Sequence, residues 1–181
     1  MPPRYRVKYL YPERTIFTEV PLADLHETAV RLGAMQWLQI RGGRKFPSRE
    51  EFDIRDVGSA LANISLIQVI DGGTDFLIRV VGDEVRRAYP VRLNGRLLSE
   101  LYAELPKTVP RWRAAFRKVV ETGEPLSMHI QVGSDMPEVR YSYAEAVCLP
   151  LGTADRVKYL MTFASHALEL IEEGAGSGDL L

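Results

Sequence analysis

The chain has 181 residues, 46% of them hydrophobic and 26% charged. These proportions belong to an ordinary globular domain and exclude a disordered chain, a collagen-like chain and a coiled-coil rod. Lys and Arg number 23 against 24 Asp and Glu, a formal net charge of -1, so the basic excess of a dedicated duplex-binding protein is absent and no nucleic-acid partner is expected.

Residues 1–21 read as an extended arm, basic and aromatic, interrupted by Pro2, Pro3, Pro12 and Pro21. Tyr9, Leu10, Ile16 and Phe17 would rest it on the body. The arm lacks the apolar run of a signal peptide, and no stretch of the chain is apolar for long enough to span a bilayer. The single cysteine allows no intrachain disulfide and suits a reducing compartment. The expected location is therefore cytoplasmic, without membrane insertion.

A domain over 22–173 follows. Its first helix is expected over 24–41, with Asp24 as N-cap, Glu27 three residues on, and Gly42-Gly43 as the stop. Leu25, Ala29, Leu32 and Gln36 recur at helical spacing, thickened by Met35 and Trp37. Gly33 would admit the close approach of another helix. A short helix is expected over 56–63, with Leu61 turned inward.

The period then changes. Residues 64–70 and 75–81 are rich in β-formers and flank Asp71-Gly72-Gly73, which reads as a hairpin. Two helical turns are expected over 83–88 and 97–102, around an Asn94-Gly95 turn. A long helix over 107–122 follows, with Val109, Trp112, Phe116 and Val119 on one face. Three strands are expected over 126–132, 139–149 and 157–164, then a short helix near 168–173. Gly-rich residues 174–181 would be a disordered tail. Two consecutive strands and then three argue for antiparallel pairing. The fold class is α+β: a five-stranded antiparallel sheet covered on one side by helices.

That element order resembles the PAS fold. The local sequence is similar to small single-domain bacterial PAS-like proteins at Trp37 to Arg41, Pro47-Ser48-Arg49, Asp53, Arg79-Val80-Val81-Gly82 and Gly95-Arg96-Leu97-Leu98. Ile54 stands where that family often has proline. The resemblance spans about 24–164, the first helix being an addition at the N-terminal side. It implies a sensory or interaction module of bacterial signalling rather than an enzyme. A small ligand would lie between the long helix and the sheet. The helix before the sheet would form a homodimer or dock a signalling partner.

The chemistry agrees with a module that has no cofactor. Gly95-Arg96 is followed by Leu97-Leu98, without the cysteine of a flavin photoreceptor, and the long helix has no histidine for haem. His26, His129 and His166 lie on different elements without metal-ligand spacing, so no metal is expected. Cys148, among apolar neighbours, reads as an inert buried thiol. The candidate cavity residues are Trp112, Phe116, Val119, Met128, Ile130, Tyr141, Tyr143, Met161, Phe163 and Arg79. The same aromatic set also reads as plain core. Alternation puts Tyr141 and Tyr143 on one face without saying which face is inward. Arg79 alternatively clamps Asp53 and holds the first helix to the sheet. The candidate interface is Leu25, Leu32, Met35 and Trp37.

Overall fold

The structure is a computed structural model and describes residues 12–168. The calls on 1–11, on a helix beyond Leu168 and on the tail lie outside these residues. In chain order the elements are β1 (Ile16–Glu19), α1 (Thr28–Arg41), a 3-10 helix (Ile54–Asn63), β2 (Ile64–Ile70) and β3 (Asp75–Val81). Then come α2 (Asp83–Arg87), β4 (Arg96–Leu97), α3 (Leu98–Leu101), α4 (Thr108–Thr122), β5 (Leu126–Gln131), β6 (Tyr141–Thr153) and β7 (Arg156–Leu168). No helix among the described residues is long and apolar enough to cross a membrane.

All strand pairs are antiparallel, in the order β1-β5-β6-β7-β2-β3-β4. The expected five strands are the middle of this sheet, and two more flank them. At one edge β1 pairs with β5 from Ile16–Gln131 to Glu19–Met128, so this stretch of the arm is part of the sheet. At the other, the two-residue β4 pairs with β3. A two-residue strand has too little periodicity to be read from sequence.

Helices cover both faces of the sheet, not one. Along β7, Thr162, Ala164 and His166 face α4. Phe163, between them, faces the opposite way and packs on Phe52 with ring centroids 6.2 Å apart. Alternation along a strand requires this division. We call the α4 side the inner face and the α1 side the outer face.

The outer face explains how α1 differs from expectation. The helix begins at Thr28, with Asp24 left in a 3-10 turn and Glu27 as N-cap. Its buried residues are Val30, Gly33, Ala34 and Trp37. The stripe predicted from Leu32 and Met35 is rotated away from the body, and those residues are 38% and 60% exposed. Gly33 admits the ring of Phe163, not another helix. Trp37 is fully buried, and its Nε1–H donates to the Pro150 carbonyl at 2.8 Å. Gly42 ends the helix at φ +58°, a conformation that favours glycine. Leu61, expected inward, is exposed on a 3-10 helix broken at Gly58, where φ is +50°.

Candidate functional site

The inner face carries the candidate site. A cavity of about 100 Å³ lies between α4 and the sheet. Trp112, Ala115 and Phe116 of α4 roof it. Its floor is Ile67 and Ile78 from the hairpin, with Met128, Ile130, Tyr141, Ala144, Ala146, Cys148, Thr162, Ala164 and His166 from the three-strand meander. Tyr89 and Leu93 close the end toward the segment after α2. Alanines at Ala115, Ala144, Ala146 and Ala164 leave the space, because larger residues at those inward positions would fill it. A second recess of about 320 Å³ lies beside α4, β1 and β5 and shares the wall of Trp112, Met128, Ile130 and Tyr141.

Rings crowd one end of the cavity. Tyr89 meets Trp112 at 5.0 Å and Tyr141 at 5.7 Å, and Tyr141 meets His166 at 4.7 Å, all edge-on. The two tyrosine hydroxyls lie 3.3 Å apart. His166 keeps part of its surface exposed, yet its Nδ1 is buried without a hydrogen-bond partner among the described residues. Burial lowers this imidazole from 6.5 to about 4, so the ring is neutral near pH 7. Burial likewise raises the Tyr89 and Tyr141 phenols and the Cys148 thiol, which leaves the thiol protonated and unreactive.

Of the predicted cavity residues, the structure brings together Trp112, Phe116, Met128, Ile130 and Tyr141. Val119 is buried but does not line the space. Met161 and Phe163 belong to the outer face, Met161 beside Leu66 and Val80. Tyr143 is separated from Tyr141 by a bulge. Tyr141 pairs with Leu168 and Tyr143 with Ala167, so Ser142 is the extra residue and the alternation flips there. Tyr143 consequently meets His129 on the outer face, with ring centroids 6.0 Å apart and the planes tilted by 52°.

Arg79 is displaced for the same reason. Leu66 pairs with Val80 and Ile67 with Ile78, which leaves Arg79 as the extra residue of a second bulge, exposed to solvent. Asp53 does not meet it. That carboxylate accepts from Arg55 at 2.6 and 3.0 Å, and this pairing holds its carboxyl at about 2. Arg96 pairs with Glu104 at 2.6 Å, and Arg49 stacks over Tyr159 at 5.3 Å. Within the candidate interface, Leu25 and Trp37 are buried in the chain's own core, while Leu32 and Met35 are exposed together with Leu38.

Sequence reasoning missed a polar cluster on the outer face. Glu145 of β6 is fully buried. Its carboxylate accepts the backbone N–H groups of His26 and Glu27 at 2.8–3.0 Å, at the start of α1. It also meets His129 Nε2 at 2.8 Å, and the His26 and His129 rings stand 5.8 Å apart. A negative group at a helix N-terminus satisfies N–H groups that have no partner within the helix. The signal was the single charged residue of strand β6. Among the described residues, no three His, Cys, Asp or Glu come together to hold a metal.

A family model described as a PAS domain matches residues 25–162. Among solved structures, one titled "Structure of an RNA-binding Light-Oxygen-Voltage Receptor" is similar at 16% identity and a TM-score of 0.34. That similarity covers 58% of this chain and 29% of the receptor chain. A comparison with curated proteins returns no match.

Proposed function

The chain belongs to the PAS-domain family, and from that premise we propose that it is a non-catalytic sensor of bacterial signalling which takes an uncharged small molecule between α4 and the sheet and reports it through α1. The observation that carries this reading is the alanine-floored cavity of about 100 Å³ with, at one end, an imidazole nitrogen that has no partner among the described residues. Ligand sites are concave and mostly apolar, with a few polar groups that orient the guest.

The output route is short. On β7, Ala164 and His166 face the cavity, while Phe163 packs on Gly33 of α1 and Ser165 donates its hydroxyl to Glu27 at 3.0 Å. One strand therefore touches the guest with one face and α1 with the other. A guest that favours one setting of β7 favours one setting of α1, by population shift. The exposed apolar stripe of Leu32, Met35 and Leu38 on α1 supports contact with a second copy or a signalling partner.

Native mass spectrometry after mild purification tests the reading. The wild-type protein retains a small molecule, and Ala164→Leu, which fills the cavity, does not. A bare wild-type chain, with no thermal shift across a metabolite library, favours the same domain as a filled adaptor without a ligand.

A further inference from the structure

The lining of the cavity narrows the chemistry of its guest. Among the described residues it contains no Asp, Glu, Lys or Arg. A carboxylate, phosphate or ammonium placed there would lose its hydration and gain no counter-charge, which is prohibitive in an apolar site. The volume of about 100 Å³ sets the size. An apolar protein cavity of ~150 Å³ accepts benzene, so this smaller space takes one small ring once its wall yields, as the flexible Met128 can.

The polar end sets the functional group. Among the described residues His166 Nδ1 is buried and unpartnered. A neutral imidazole offers one N–H and one lone pair, and a hydroxyl can answer either because it both donates and accepts. The neighbouring Tyr89 and Tyr141 hydroxyls, 3.3 Å apart, share one hydrogen bond and so leave one of their two protons without an acceptor between them. The rings of Tyr89, Trp112, Tyr141 and His166 already meet edge-on, the geometry in which aromatic rings attract one another.

We infer that the cavity recognises a small uncharged molecule with one hydroxyl on an apolar ring, a simple phenol, whose hydroxyl bonds His166 Nδ1. This deepens the proposed function and rests on it. His166 is the specificity-determining residue; the alanines of β6 and β7 provide space.

The test uses phenol, toluene and benzoate, titrated calorimetrically into the full chain at pH 7. Phenol is expected to bind about tenfold tighter than toluene, the usual scale of one hydrogen bond, and benzoate not to bind. His166→Phe is expected to erase the preference for phenol while toluene still binds. As a check that needs no variant, the 15N resonance of His166 Nδ1 in the wild-type protein is expected to move with phenol and stay with toluene. Toluene binding as tightly as phenol, a bound benzoate, or an unmoved Nδ1 resonance overturns the assignment to phenols while leaving the cavity a ligand site. If none of the three binds and the purified protein is bare, the ligand reading falls with it.

Discussion

Phe163 of β7 lies with its ring against the bare Cα of Gly33 in α1, in the space a side chain would need. Phe163 is fully buried, so its ring cannot swing into solvent to make room. Gly33→Ala gains helix propensity but forces the helix off the sheet. Overpacking of this kind costs about 1–3 kcal/mol. In a domain of this size that lowers the melting temperature by roughly 2–12 °C. Thermal denaturation by circular dichroism reads it. An unchanged or higher melting temperature would mean that α1 does not sit this close.

Glu145 ties the start of α1 to the sheet through His26, Glu27 and His129. Glu145→Ala removes the acceptor for the N–H groups of His26 and Glu27 and the partner of His129. The expected loss is about 3–5 kcal/mol, the scale for breaking a buried ion pair or charged hydrogen-bond set. His129→Ala alone is expected to cost less, because that ring is part-exposed and the backbone donors keep their acceptor. The two losses are not additive, because the residues share one hydrogen-bond set. Urea denaturation of the four-member cycle measures this, and strict additivity would contradict the shared cluster.

His166 gives stability a pH dependence. Its folded value is about 4, below its ordinary 6.5, and burial is the cause. Between these values the unfolded chain takes up a proton that the folded chain refuses. The contribution is therefore complete above about 6.5 and is lost as pH falls toward about 4. Its size is at most on the order of 3 kcal/mol. The groups facing the ring are Tyr89, Tyr141 and Ala144, none of them charged over this range. Denaturation curves of wild type and His166→Phe at pH 7.0, 5.5 and 4.5 isolate the effect. The variant is expected to lose less stability on acidification than wild type, and equal losses would contradict a buried neutral imidazole.

The architecture was legible in the sequence where periodicity was long and unbroken. The hairpin around Asp71, the helix α4 with Trp112 and Phe116, and the three-strand meander all stand where their patterns placed them. Site residues failed at two bulges. Strict alternation carried Tyr143 along with Tyr141 and turned Arg79 toward a partner, because a single extra residue inverts every later side chain. The face of α1 failed for another reason. Its buried side is built from Gly33 and Ala34, whose value lies in letting Phe163 approach, while the larger Leu32 and Met35 attracted the apolar stripe to the wrong side. His166 and Glu145 were invisible as a site because their partners lie far away in sequence, across strands.

Leu32, Met35 and Leu38 form the exposed stripe of α1. Leu32→Glu with Met35→Glu leaves the core untouched, so the unfolding free energy is expected to hold within about 0.5 kcal/mol of wild type. If the stripe joins two copies, light scattering at high concentration shows a dimer for wild type and a monomer for the variant. A wild-type protein that is strictly monomeric removes the homodimer and leaves a different partner as the occupant of this face.

The most direct measurement is a crystal of the wild-type protein pressurised with xenon, which enters apolar cavities without needing any particular chemistry. The expected result is a xenon peak in van der Waals contact with Trp112, Phe116, Ile78 and Ala164, absent from crystals of Ala164→Leu. Continuous side-chain density through that space, with no xenon under α4, would contradict a receptive inner face and leave the domain as filled core.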